Sequence, residues 1–239
     1  CGQLSRDHPQ DSRNHLDDYG EVHMTGIHQT LASSNSSAAS ATFIAFTSDL
    51  TNTNTYTFAS QSLGAADASR HMIVIVHGTN PAARTISSVT IAGVTATAQI
   101  FATDSGTNGV FCAIYSADVP TGTSGSIVVT WSGICDECSI GVIRAVYLVS
   151  TTPTATHSNT GDIVNLSLNI PSGGVLVAGS SWDGGGTVTT GGITEIYNTD
   201  PSINQYVGGL STGLSVESPR AISFDGPTGA ASGVAVVWN

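Results

Sequence analysis

Residues 73–80, IVIVHGTN, and the residues that follow them at 81–98, PAARTISSVTIAGVTATA, decide the fold class. Four consecutive apolar residues before His77 and Gly78 predict a β-strand that is buried and then ends in a turn. A similar order of residues precedes the oxyanion loop of lipase-like hydrolases. The first interpretation predicts a β-sandwich that works through its surfaces, and the second predicts an enzyme.

The hydrolase interpretation requires a nucleophile elbow and a triad in the order Ser, acid, His. Residues 209–213, GLSTG, match the elbow pattern, and Asp225 is an available acid. No helical pattern follows Ser211, however, and the last histidine, His157, precedes it in the chain. In a chain with 27 glycines, this short match is expected by chance. The sequence therefore predicts that the protein is not an enzyme and that His77 ends a strand.

The composition limits the classes of partner. The chain has 239 residues and a formal net charge of -11, and only 10% of its residues are charged. Nucleic-acid binding needs a basic face, which this balance argues against. No apolar run approaches the ~18 residues of a membrane helix, so no membrane segment is expected. No cofactor is expected either.

Short apolar runs recur along residues 41–239, and turn signals such as PSGG at 171–174 separate them. No window carries a helical stripe, and residues 63–70 would make at most one helical turn. The predicted strands are 41–47, 54–60, 71–78, 85–91, 94–102, 110–117, 126–132, 140–150, 162–170, 173–181, 193–198, 204–210, 220–225 and 232–238. About fourteen short strands without a fixed repeat predict two packed antiparallel sheets, an all-β sandwich of jelly-roll type.

Residues 1–40 differ in character from the rest of the chain. Residues 1–23 hold five of the 17 acids and three of the seven histidines, and residues 25–40 are rich in Ser, Ala and Asn. We expect an extended polar N-terminal arm over 1–40 and a single sandwich over 41–239. Whether residues 1–23 belong to the native start stays open, because Met24 is an alternative start. Cys1 also fits the acylated cysteine of a bacterial surface lipoprotein.

The cysteines leave several chemistries open. Cys135 and Cys138, in CDEC, have the spacing of a metal knuckle, but a zinc site needs a second pair of ligands. A disulfide, two free thiols and a metal site remain as alternatives. Cys112 alternates with Val110 and Ile114, which predicts a small buried side chain.

Three further groups of residues are candidate sites. The DSGTNG segment, 104–109, resembles a calcium loop but has Gly106 in place of the acid at position three and Tyr115 in place of the Glu at position twelve, so a hairpin turn is expected. Asp183, Glu195, Glu217 and Asp225 are candidates for paired catalytic carboxylates, and surface acids are the simpler interpretation. Trp131 and Trp182 stand beside turn residues and are candidates for sugar stacking, although core positions are expected. No catalytic, cofactor-binding or metal-binding residue is assigned.

Residues 55–98, TYTFASQSLGAADASRHMIVIVHGTNPAARTISSVTIAGVTATA, resemble structural proteins of tailed phages and prophages. The resemblance lies in Phe58, in LGAADASR at 63–70, in the strand at 72–76 and in the hairpin at 84–94. Residues 115–133 and 164–182 are similar to the same group, so the resemblance covers roughly 55–182. It implies a jelly-roll-like virion component in which Asp67 and Arg70 pair across one turn.

The function that this resemblance implies is that of a non-enzymatic structural protein on the virion surface. It would be a capsid decoration protein, a head fibre, or a tail or receptor-binding component. The expected partners are other virion proteins, contacted through the N-terminal arm, and further copies of the same chain, with a host-surface glycan as an additional ligand. A glycan-binding, lectin-like module and a bacterial surface lipoprotein are the alternatives.

Overall fold

The computed structural model describes residues 37–104 and 109–239, which contain 17 β-strands and no helix. Nowhere in these residues is there a helix long and apolar enough to cross a membrane. The strands are β1 (Ser40–Asp49), β2 (Thr53–Ser62), β3 (His71–Thr79), β4 (Ile86–Ile91), β5 (Val94–Thr95), β6 (Thr97–Asp104), β7 (Val110–Asp118), β8 (Ser124–Cys135), β9 (Glu137–Val146), β10 (Ala155–Thr160), β11 (Ile163–Ile170), β12 (Gly174–Trp182), β13 (Thr189–Gly191), β14 (Glu195–Thr199), β15 (Gln205–Leu214), β16 (Glu217–Asp225) and β17 (Ala231–Trp238).

The strands form four antiparallel sheets, two from each half of the chain. Inner sheet I has the order β1-β9-β3-β7-β6, and outer sheet I has the order β2-β8-β4-β5. Inner sheet II has the order β10-β17-β12-β15-β14, and outer sheet II has the order β11-β16-β13. The expected all-β antiparallel sandwich is confirmed, but it contains four sheets where two were predicted.

Three apolar cores separate the four sheets. The first lies between outer sheet I and inner sheet I, with Trp131 and Phe111 among its largest members. The second lies between the two inner sheets and contains Ile75, Val177 and Trp238. The third lies between inner sheet II and outer sheet II. The layers therefore follow the order outer I, inner I, inner II, outer II.

This layering explains the apolar run at 73–76. Strand β3 is the central strand of inner sheet I, and all nine of its residues are buried. Met72, Val74 and Val76 face the first core, while Ile73 and Ile75 face the second. Because successive side chains of a strand point to opposite faces, a strand between two cores must be apolar at consecutive positions.

The two halves share one pattern of strand pairing. In the first half the first strand pairs with the last, the second with the penultimate and the third with the antepenultimate, as β1 with β9, β2 with β8 and β3 with β7. In the second half the same positions pair as β10 with β17, β11 with β16 and β12 with β15. The repeat lies in the topology and spans about half of the chain, which is why no short period is visible in the sequence.

Most predicted strands are present, and the differences are local. The predicted strand 94–102 is two strands, β5 and β6, and the helical turn considered at 63–70 does not form. Strands β10 and β13 were not predicted. The loop predicted at 104–109 connects β6 and β7, which pair as an antiparallel hairpin with Asp104 opposite Val110; residues 105–108 lie outside the described residues.

The predicted arm lies mostly outside the described residues, because the structure describes the chain from residue 37 onward. Strand β1 begins at Ser40, opposite Val146 of β9. Ala39 and Ala41 pack against the second core. Residues 37–40 thus already belong with the sandwich.

Candidate functional site

His77 lies at the centre of a polar cluster buried between the inner sheets. The Nδ1 atom of His77 is 2.8 Å from Ser181 Oγ, and its Nε2 atom is 2.8 Å from the hydroxyl of Tyr197. Cys112 Sγ lies 3.8 Å from Nδ1, and the ring of Tyr206 stacks on the imidazole at a centroid distance of 4.9 Å. His77 comes from β3, whereas Ser181, Tyr197 and Tyr206 come from the second half of the chain.

The hydrogen bonds of this cluster fix where each proton lies. The hydroxyl of Ser181 donates to the carbonyl oxygen of Phe111 at 2.7 Å, so Ser181 accepts from Nδ1–H of His77. The Nε2 atom then accepts from the hydroxyl of Tyr197. Burial lowers the pKa of His77 to about 3, which keeps the imidazole neutral. The proton of Ser181 therefore points away from the imidazole, and the hydrogen bonds of the cluster do not activate Ser181 as a nucleophile.

A buried carboxylate continues the polar cluster toward the surface. Glu137 is 3% exposed and accepts hydrogen bonds from the hydroxyls of Ser202 and Tyr206 and from the amide of Asn204, at 2.5–2.7 Å. Glu137 and Asn204 also line a cavity of about 270 Å³, together with Asp136. Three neutral donors therefore satisfy the carboxylate, as a buried charge requires.

A second polar site is an open cleft of about 410 Å³ beside the start of β3. His71 and Asp118 are cross-strand partners, and His71 Nδ1 lies 2.7 Å from Asp118 Oδ1. The His71 side chain is 5% exposed and the Asp118 side chain 66%. The cleft is otherwise lined by Val94, Thr95, Thr97, Gln99, Ser116, Ala117, Thr151, Thr152 and Pro153.

Ser211 and His157, the serine and the last histidine of the hydrolase pattern, have different hydrogen-bond partners. Ser211 is within β15, opposite Leu176, and its hydroxyl accepts from the backbone N–H of Thr194 at 3.2 Å. His157 lies in edge strand β10, where its Nδ1 accepts from the backbone N–H of Ser167. The GLSTG segment thus belongs to a strand, and the sharp strand-to-helix turn that an elbow needs is not formed there.

The three described cysteines are buried free thiols. Burial raises the pKa of Cys135 to about 12 and that of Cys138 well above its usual range. Thiols of this kind stay protonated, whereas a metal needs the thiolate. Across residues 37–104 and 109–239, no group of three or more His, Cys, Asp or Glu side chains is arranged to hold a metal ion. Cys112 has the buried position predicted for it.

Trp131 and Trp182 are core residues, 2% and 0% exposed. Neither presents a face on which a sugar could stack, so the core positions expected for both are confirmed. Three of the four candidate acids have different neighbours. Glu217 pairs with Arg220, Glu195 accepts from Asn198, and Asp183 lines the cavity of Glu137.

The predicted pairing of Asp67 with Arg70 is wrong. Arg70 is 1% exposed, and its guanidinium group donates to backbone carbonyl oxygens, including those of Val119 at 2.5 Å and Thr121 at 2.6 Å. Asp67 instead accepts from the backbone N–H and the hydroxyl of Ser69. The carbonyls of the surrounding loops are buried beside Arg70 and need a donor, which the guanidinium supplies.

Both polar sites depend on contacts that the sequence does not encode locally. His77 meets Ser181 and Tyr197 across 104 and 120 residues of chain. His71 meets Asp118 through the register of β3 with β7. The histidine within an otherwise apolar strand was the one available signal for the first site, since an imidazole at such a position needs buried partners.

Comparison of the chain with family models, with curated proteins and with solved structures finds no match. The resemblance to phage structural proteins is therefore carried by the sequence motifs alone.

Proposed function

We propose that this chain is a non-enzymatic structural protein of the virion surface of a tailed phage. The observation that carries the proposal is the nested strand pairing of each half, first with last, second with penultimate and third with antepenultimate. This pairing fits a jelly roll in both halves. Jelly rolls are common in viral capsid and lectin domains. The sequence resemblance over residues 55–182 supports the same class.

The chemistry of the interior supports a structural role. The side-chain contact between Ser181 and His77 is enclosed between the inner sheets, and the hydroxyl of Ser181 donates its proton to the carbonyl of Phe111. An enzyme of the hydrolase type needs its base beside an exposed nucleophile. In this protein the same residue types join the two sandwiches to each other.

The arm is the proposed means of attachment. Residues 1–36 are polar, so they gain little by packing against their own chain, and ordering each backbone residue costs about 1–2 kcal/mol. Contact with a neighbouring virion protein, or exchange of arms between copies, would offset this cost. In this proposal the paired sandwiches project from the particle and the protein assembles as a homo-oligomer.

Purified phage particles provide the test of the proposed virion role. Mass spectrometry of gradient-purified particles from the source strain should find this chain at a fixed ratio to the major capsid or tail protein. Added back to particles that lack the chain, the full-length protein should co-sediment with them, and a variant lacking residues 1–36 should not. A chain absent from pure particles would overturn the proposal, whereas undiminished co-sedimentation of the truncated form would move attachment to the sandwiches.

The non-enzymatic part has its own test. The variants Ser181→Ala, Ser211→Ala and His77→Gln should leave any hydrolysis of p-nitrophenyl esters by the purified protein unchanged. Loss of a robust activity in any of the three would show that the protein is an enzyme.

A further inference from the structure

The cleft beside His71 is built from side chains held in fixed positions. Asp118 presents its carboxylate to solvent while His71, behind it, holds one carboxylate oxygen at 2.7 Å. His71 is in turn packed edge-on against Trp238, with ring centroids 6.3 Å apart. The acceptor at the mouth of the cleft is therefore positioned before any ligand arrives, which lowers the entropy cost of binding.

A β-bulge directs a second polar side chain to the same place. The pairing of β6 with β7 shifts register between Ala98 and Ile100, so Gln99 is the extra residue. Bulges of this kind re-aim a side chain. Gln99 Nε2 donates to the hydroxyl of Ser116 at 2.8 Å, and this contact fixes the amide and leaves its oxygen as an acceptor.

The opposite wall of the cleft is the linker between the two halves, and it too is anchored. Trp238 Nε1 donates to the carbonyl oxygen of Thr151 at 3.1 Å, and the backbone N–H of Thr154 donates to the carbonyl oxygen of Val237 at 2.8 Å. These contacts place Thr151, Thr152 and Pro153 across from the sheet. Small-molecule sites often lie at such junctions between domains.

We propose that this cleft binds neutral glycans. Its polar lining combines hydroxyls that donate and accept, from Thr95, Thr97 and Thr152, with the acceptor oxygens of Asp118 and Gln99. This set matches the vicinal hydroxyl groups of a sugar ring, while Val94 and Pro153 offer apolar contacts for its C–H face. The volume of about 410 Å³ lies within the about 300–1,000 Å³ usual for small-molecule sites.

Charge selects neutral over acidic sugars. Asp118 is the acid of the lining, and its described residues include no arginine. The chain as a whole carries a net charge of -11. A sugar acid would place a second negative charge beside Asp118 without a cation to stabilise it. The inference goes beyond the proposed virion role and does not depend on it.

Binding of simple glycosides to the full-length protein tests the inference. The probes are the methyl glycosides of glucose, galactose, mannose and N-acetylglucosamine, with N-acetylneuraminic acid as the acidic comparison. At millimolar concentrations at least one neutral probe should give saturation-transfer NMR signals and shift the amide resonances of residues 94–99 and 116–118. The acidic probe should do neither.

Two substitutions in the cleft and one control substitution elsewhere on the surface test whether the sugar binds in the cleft. Asp118→Asn and Gln99→Ala should each weaken binding of the neutral probe at least tenfold, and both positions are accessible enough for the fold to survive. Asp162→Asn, which removes an exposed acid from the turn between β10 and β11, should bind as the wild type does. The inference is overturned if no neutral probe shifts the cleft resonances, or if Asp118→Asn and Gln99→Ala bind with unchanged affinity.

Discussion

Arg70 illustrates how this protein uses its few charges. The guanidinium group is buried and donates to five backbone carbonyls, which come from the loop at 63–65 and from Val119 and Thr121. A planar group with several fixed donors can reach oxygens on two sides at once, which an ammonium cannot. Arg70 thus connects the segment before β3 to the loop after β7.

Substitution of Arg70 by Lys should therefore be costly. Several buried carbonyls would lose their donor, and the free energy of unfolding should fall by roughly 2–4 kcal/mol. Arg84→Lys is the matched control, because Arg84 is only partly buried and its Nε donates to the carbonyl of Ile134 in a solvent-exposed hydrogen bond; its effect should stay below about 1 kcal/mol. Urea titrations of the three proteins measure both values. Equal effects of the two substitutions would contradict the role assigned to Arg70.

His77 makes the stability depend on pH. Burial lowers its pKa from 6.5 to about 3, so between these values the unfolded chain binds a proton that the folded chain excludes. Stability therefore falls as the pH falls through this window, by up to about 1.4 kcal/mol per pH unit. In His77→Gln this contribution disappears, since glutamine does not titrate.

The difference in stability between the wild type and His77→Gln isolates the contribution of His77 to this pH dependence. Between pH 6 and pH 4 the wild type should lose roughly 2–3 kcal/mol more stability than His77→Gln, because their shared carboxylates cancel in the difference. Denaturant titrations at pH 7, 6, 5 and 4 provide the measurement. Parallel pH profiles would mean that the imidazole takes up its proton as readily in the folded protein as in the unfolded chain.

Among the strands, those with an apolar pattern could be predicted from the sequence, and those without one could not. Strand β17 has Val234, Val236 and Trp238 in the second core and Ala235 and Val237 in the third, so its apolar pattern was visible in the sequence. Strand β10, ATHSNT, lies at an edge of inner sheet II and alternates between partly buried and exposed positions. Without an apolar run it resembles a loop, although pairing with β17 makes it a strand.

Strand β1 sets the limit of the removable N-terminal segment. It pairs with β9 from Ser40 to Asp49, and the rings of Phe43 and Phe46 lie 5.5 and 4.6 Å from that of Tyr197. Removal of residues 1–36 should leave the melting temperature unchanged. Removal of residues 1–49 should lower it by roughly 10 °C, because it exposes the edge of β9 and removes both phenyl rings from the second core. Thermal melts followed by circular dichroism would decide, and a large loss with the shorter deletion would show that the arm belongs to the core.

In the whole molecule, the two inner sheets cover each other. Ile73, Ile75 and Ile114 of the first half and Val177 and Trp238 of the second are fully buried in the core between them. The approach is close: a Cβ atom added at Gly179 would lie 2.6 Å from Ile75 Cγ2. The sequence predicted the buried strand that holds Ile73 and Ile75, but not that each half has a sandwich of its own. Apolar pattern reports burial, whereas the choice of partner sheet depends on contacts far apart in the chain.

Each half therefore needs the other to cover its inner sheet, and expression of the two halves as separate chains should show this. Expressed alone, residues 37–150 and residues 151–239 should aggregate or expose a large apolar face, since a patch of this kind is rarely stable in water. Expressed together as two chains, they should form a soluble one-to-one complex with the circular dichroism spectrum of the intact domain.

Two substitutions test whether the shared core holds this complex together. Val177→Asp in the second half, which places a charge in the shared core, should prevent the complex, whereas Thr156→Asp, at an exposed position of edge strand β10, should not. Size-exclusion chromatography with light scattering measures the outcome. Two halves that stay folded and monomeric in the mixture would show that the sandwiches are independent domains and that the buried cluster around His77 is not needed to hold either one together.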